Sequence, residues 1–259
     1  MKKKSSSEKE AKQNSMTNPK ELRENLTTEE IDSMLKKAED LPEYFKLRAQ
    51  CLIALAKKFG KRRLELSRLE RKDIRIIGDD LEIKFTLAKK RKRGLHQYFK
   101  YLEKHNPMEL SRPLPELKEN WLAWQLTDQG QNIKLATSLK SISLRDKYTH
   151  YILKYLVYLK RHSPTSKYLF PSGCSIFGTS YIIDPNEHLS GSQLLRIIKP
   201  LNPTVWLHLF RSSKGEETAR RFGRTLESLH NVAATLDITD QTAMHYIEKY
   251  VPQKQEIEN

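Results

Sequence analysis

The chain has 259 residues, 37% of them hydrophobic, enough for one large domain or two small ones with a real core. No apolar run approaches the roughly 18 residues of a membrane span, and the basic start Met1-Lys2-Lys3-Lys4 has no hydrophobic segment after it, so a cytoplasmic protein is expected. Forty-seven Lys and Arg against 32 Asp and Glu leave a formal charge of +15, the balance of a protein that faces a phosphate polyanion.

Residues 1 to about 26 are Lys, Ser, Glu, Asn and Gln with few large apolar groups, and predict a disordered basic and polar tail. Thr27 with Glu30 three residues later reads as a capping box opening a helix through Ile31, Leu35 and Ala38. Tyr44 to Phe59 places Leu47, Cys51, Leu52, Leu55 and Ala56 at helical spacing, which predicts a core helix. After Gly60 a further helix is expected through Leu64, Leu66 and Leu69. Ile74 to Ile77 and Leu81 to Leu87, parted by Gly78-Asp79-Asp80, then read as a β-hairpin.

Residues 88 to 138 hold the basic run Lys89-Lys90-Arg91-Lys92-Arg93, a short helix near Tyr98 to Leu102, three prolines and the pair Trp121 and Trp124, and read as an insertion centred on 94 to 138. Ser141 to Leu144 is expected to return as a strand, and Tyr148 to Leu159 as an amphipathic helix. Four more helices are predicted near 190 to 199, 204 to 222, 225 to 235 and 239 to 250. The fold class is therefore mainly α with a small antiparallel β-sheet, in a single unit over residues 27 to 259.

Cys51 and Cys174 stand far apart with no Cys/His cluster, so neither a disulfide framework nor a metal site is expected. The residues able to handle a phosphate lie in three places. Gly60-Lys61-Arg62-Arg63-Leu64-Glu65-Leu66 puts Arg62 just after a helix-breaking glycine, from where its planar guanidinium could point into a cleft or simply cap a solvated helix end. His208-Leu209-Phe210-Arg211 sets an imidazole and a guanidinium three residues apart on one helix face. Tyr246 follows Arg211 by 35 residues, with Tyr250 one turn later as its rival.

These segments resemble the motifs of tyrosine recombinases, the phage integrase family. Gly-x-Arg-x-x-Glu-Leu continuing through Leu69 to Asp73-Ile74 is similar to the first arginine motif, His208 to Arg211 to the His-x-x-Arg box, and Leu169-Phe170-Pro171-Ser172 to a segment preceding that box. Tyr246 occupies the nucleophile's place. The wording around Phe85 to Lys90 and His208 to Arg211 is more similar to archaeal integrases than to bacterial ones.

The resemblance spans about residues 28 to 250 and implies the family's catalytic-domain fold and a DNA breaking and rejoining activity with no metal or nucleotide cofactor. It implies that Tyr246 attacks a phosphodiester to form a 3′-phosphotyrosyl link, that Arg62 and Arg211 stabilise the transition-state charge, and that His208 handles a proton or binds the phosphate. The general-acid lysine of the family falls in the turn after its second strand, here Lys89, with Lys90, Lys92, Lys134 and Lys140 as alternatives. Double-stranded DNA is the implied partner, held by the domain, the tail and Lys90, Arg91, Lys92 and Arg93. A homo-oligomer, a tetramer in the family, is implied on DNA.

Two features depart from the pattern. Asp237 stands nine residues before Tyr246, where the family places His or Trp, and the nearest histidine, His230, comes seven residues earlier. An additional N-terminal DNA-clamping domain is not expected, so a separate recognition partner is. Both departures leave open an integrase-derived DNA-binding protein without catalysis, and an unrelated basic helical RNA-binding or scaffold protein is the remaining reading.

Overall fold

A computed structural model of the protein describes residues 25–124, 127, 137–176 and 180–251. Most of the expected tail, residues 1–24, lies outside the described residues. The fold begins slightly earlier than expected, because Leu26 is buried and its N–H donates to Ser213 Oγ at 2.6 Å. Thr27 then caps α1 (Thr28–Ala38) by the predicted capping box, its side chain accepting from Glu30 N–H while Glu30 accepts from Thr27 N–H.

The central helix is α2 (Glu43–Phe59). The run from Ala49 to Ala56 is buried, and three alanines in it let neighbours close in on every side. Gly60 ends the helix in the left-handed conformation, φ 55°, with its N–H on Ala56 O. The next helix, α3 (Arg63–Ser67), is only five residues long. The expectation that it runs through Leu69 fails for a tertiary reason: Leu69 O accepts Leu169 N–H at 2.8 Å, Arg71 N–H reaches Lys167 O, and Glu70 pairs with Tyr168. Long-range backbone pairing captures groups that the helix would have used.

The predicted hairpin is β1 (Ile74–Ile77) and β2 (Asp80–Thr86), turning at Gly78 with φ 58°. It is joined by β3 (Thr137–Ser143), longer than expected, in the order β1-β2-β3, all antiparallel. Leu81, Ile83 and Phe85 alternate onto the buried face.

Between β2 and β3 the chain forms α4 (Ala88–His105), a short 3-10 segment (Pro107–Ser111) and α5 (Leu114–Trp124). The sequence predicts only a short helix near Tyr98 to Leu102, and the family resemblance sets Lys89 in a turn. Here Lys89 to Arg93 lie in the first turns of an 18-residue helix, and their side chains lie outside the described residues, as does Lys134. Tyr98, Leu102, Leu117, Trp121 and Trp124 form a small core of their own.

The helix α6 (Lys147–His162) packs on α2, with Asp146 capping it. A second antiparallel pair, β4 (Pro171–Ile176) and β5 (Ser180–His188), was not anticipated, since the chain there lacks a clean alternation. The four predicted closing helices are present as α7 (Gly191–Ile198), α8 (Leu207–Phe222), α9 (Leu226–Leu236) and α10 (Asp240–Tyr250).

Two further cores matter for the site. The large one gathers α1, α2, α6, α7, the three-stranded sheet and the start of α8 through Leu207, Leu209 and Phe210. A smaller one joins Ala219, near the end of α8, to Val232, Ala233 and Leu236 of α9 and Ala243 and Ile247 of α10. α8 runs from one to the other.

Candidate functional site

The sharp turn at Gly60 delivers Arg62 to the start of α3, where it is the N-cap residue and half-buried. Glu65, buried at 2% exposure, holds it twice: Oε2 accepts Arg62 N–H and Oε1 accepts Arg62 Nη1–H, each at 2.9 Å. The same Oε1 accepts Ala88 N–H at 3.3 Å. One carboxylate thus ties the Arg62 turn to the first residue of α4, next to Lys89.

Arg211 sits in the first turns of α8, 3% exposed. Its Nη1–H donates to Gly60 O at 2.8 Å and its Nη2–H to Leu236 O. These bonds occupy two of the five guanidinium donors and leave the remainder for an anion. Burial lowers its pKa first and the nearby Arg62 cation adds to this, while Tyr246, Glu65 and Asp237 pull the other way. Arginine stays charged even so.

His208, one turn earlier on the same face, has its pKa pushed below the usual 6.5 by burial first and then by Arg211 and Arg62. Lys61, Arg62, Trp206, His208 and Arg211 line one cavity of about 310 Å³. The two motifs, about 150 residues apart in sequence, therefore meet, and the reading of Arg62 as an isolated cap on a solvated helix does not hold.

Tyr246 is half-buried on α10 and lies against α8 where glycine replaces a side chain: a Cβ built on Gly215 would fall 2.4 Å from both Cδ1 and Cε1 of its ring. Its rival Tyr250 is 7% exposed within the fold, with ring centroids 6.2 Å apart between the two. Tyr246 is thus the more accessible of the two.

Asp237 adopts φ 50°, alone among described non-glycine residues in having a positive φ, and caps the C-terminus of α9. Its carboxylate pairs with Lys61 Nζ and lies 3.6 Å from Lys140 Nζ; burial raises its pKa, but hydrogen bonds from Lys61 and Ser138 and the charges of Lys61 and Lys140 together hold it below the usual value. Lys140 also donates to Ala234 O. Lys140, one of the alternatives to Lys89, is thus engaged within the protein. Lys61 is a further residue of the site: the sequence shows its place inside the arginine motif, but not its burial at 1% exposure. His230 is exposed on α9. Among the described residues no group of three or more His, Cys, Asp or Glu is arranged to hold a metal, and no helix is long and apolar enough to cross a membrane.

No family model matches the sequence, and no curated protein matches it either. Solved structures do. XerH site-specific recombinase bound to difH substrate, in its pre-cleavage complex, superposes with a TM-score of 0.53 at 14% identity over 89% of this chain and 52% of that one. Its post-cleavage complex with palindromic difH substrate gives 0.53 at 14% identity over 92% and 53%. XerA recombinase gives 0.51 at 12% identity over 93% and 62%. The chain spans about half to three-fifths of the length of these relatives. At such identities the likeness speaks of fold, and the predominantly helical chain with its small antiparallel sheet has the tyrosine recombinase catalytic-domain fold.

Proposed function

We propose that the protein is a site-specific DNA recombinase that cleaves and rejoins strands through a 3′-phosphotyrosyl intermediate. The observation that carries this reading is the convergence of Arg62, His208 and Arg211 on one cavity, with Tyr246 within electrostatic reach of Arg211. Two guanidinium groups of which one is buried and pre-set by backbone carbonyls suit a five-coordinate phosphorus, whose non-bridging oxygens gain charge as it forms.

In this mechanism Tyr246 Oη attacks phosphorus, the bond to the 5′-oxygen breaks, and the phenol loses its proton as the link forms. His208, its pKa lowered, is neutral at physiological pH and can accept that proton or hydrogen-bond the phosphate. Lys89 gives its proton to the leaving 5′-oxygen; the tie from Glu65 to both Arg62 and Ala88 supports that assignment by keeping the start of α4 beside the arginine. Rejoining is the reverse, with the 5′-hydroxyl as attacker, so no external energy source enters.

Double-stranded DNA would lie over this face, held by Lys90, Arg91, Lys92 and Arg93 together with the basic tail, and the active form is a homo-oligomer, a tetramer on two sites. A separate recognition partner supplies part of the selectivity. The test is a nicked suicide duplex incubated with wild type and Tyr246→Phe and resolved on a denaturing gel. A DNA-linked protein band in wild type alone is expected. Measurable DNA binding with no band on candidate or randomised duplexes would instead identify a non-catalytic DNA-binding descendant, the reading that Asp237 favours. A band retained in Tyr246→Phe would move the nucleophile elsewhere.

A further inference from the structure

The helices α9 and α10, which carry Tyr246, have their apolar core with the far half of α8 and not with the main core. Three polar links join the end of α9 to the rest of the domain. Arg211 Nη2–H reaches Leu236 O, Lys140 Nζ reaches Ala234 O, and Lys61 pairs with Asp237, so three cations meet within the last turn and cap of one helix. The final carbonyls of a helix have no partner inside it and carry the negative end of its dipole, which is why that end attracts cations.

These bonds form a closed circuit. Arg211 is held by Gly60 O and Leu236 O, and the residues that follow those two carbonyls in the chain, Lys61 and Asp237, are bonded to each other. Lys61 also donates to Ser138 Oγ on β3 at 3.2 Å and stands 4.7 Å from the centroid of the Phe85 ring, which fixes the amine against the sheet. Leu236 meets Gly60 on one side, and on the other it lies beside Gly215, where Tyr246 packs. Shifting the cap of α9 would therefore shift a ligand of Arg211 and a neighbour of Tyr246 together.

We infer that Lys61 and Asp237 are a positioning pair, a latch that registers the tyrosine-bearing helices against the arginine turn, and that the carboxylate of Asp237 serves this latch and makes no contact with the phosphate. The inference rests on the recombinase reading for its catalytic consequence, but the latch itself is a property of the free protein. Removing Asp237 leaves the buried Lys61 amine an uncompensated charge, while removing Lys61 leaves Asp237 only Lys140, at 3.6 Å, and deletes the contacts with Ser138 and Phe85, so each change loosens the joint beyond the loss of one bond.

The experiment has two arms, run on the full chain with Asp237→Asn, Lys61→Met and the double variant. In the first, hydrogen exchange of the DNA-free protein reads amides of Leu226–Tyr250 against those of Glu43–Phe59. Each single variant is expected to speed exchange in the former by about tenfold or more with the latter unchanged, as local opening requires, and the double variant to add little. In the second, adduct formation on a nicked duplex is expected to fall by about tenfold or more with DNA affinity within about threefold, the signature of misplacement and not of lost binding. Uniform acceleration across all elements would reduce the pair to a general stability contact, and unchanged exchange in both single variants would overturn the latch. Failure of wild type to form an adduct would sink the recombinase reading, leaving the exchange result to decide the latch by itself.

Discussion

Gly215 lies on the face of α8 that Tyr246 covers, and adding one methyl group there is a direct probe of the tyrosine's placement. The built Cβ falls 2.4 Å from two atoms of the Tyr246 ring and 3.0 Å from Leu236 Cδ1, so the ring must retreat by about 1 Å to regain ordinary contact. Two ring atoms are struck at once, so the ring has to leave its position. The helix itself gains: alanine is favoured over glycine in a helix interior by about 1 kcal/mol, against about 1–3 kcal/mol for overpacking. The net is a loss of between about 0 and 2 kcal/mol, so the folding midpoint should fall by no more than about 8 °C. The chemistry should not escape so lightly, since misplacement of a reacting group by about 1 Å is worth roughly 100-fold in rate, which is about 2.7 kcal/mol of activation free energy. Gly215→Ala should therefore form the tyrosyl adduct on a nicked duplex about 100-fold more slowly while binding the same duplex with Kd within about twofold. Adduct formation within threefold of wild type in a folded variant would refute the claim that the Tyr246 ring on Gly215 is the reactive placement.

Two other outcomes follow from the same fold. His208 has a folded pKa below 6.5, so as pH falls through that value the unfolded chain takes up the proton first and stability declines; His208→Gln should lose that acid-side decline, and an NMR titration of the imidazole should place its midpoint below the ordinary value. Trp124, 9% exposed and tilted against Tyr98 and Tyr101 with ring centroids 5.0 and 5.5 Å away, belongs to the separate core of α4 and α5; truncation to alanine should cost that module about 3–5 kcal/mol. Exchange should then rise across residues 98 to 124 while α2 keeps its protection, and equal loss in both would show that the module folds as one unit with the main domain.

Local chemistry alone determined much of this protein. The Thr27 capping box, the αL glycine after Phe59, the hairpin at Gly78 and the closing helices from 190 onward all follow from side chains within a few residues of one another, and each stands where the sequence places it. The pairing of Arg62 with the His208 and Arg211 face was legible only as a resemblance, because no local rule brings residues so far apart to one cavity. Tertiary structure decided the rest. It shortened α3 by pairing Leu69 with Leu169, and it drew Lys89 into a long helix. It buried Tyr250 and left Tyr246 the more exposed of the two, and it gave Asp237 a lysine partner that lies 176 positions away. Local propensity acts over one or two turns, whereas the worth of a buried charge depends on what the folded chain sets beside it, and that is determined only when the whole domain closes.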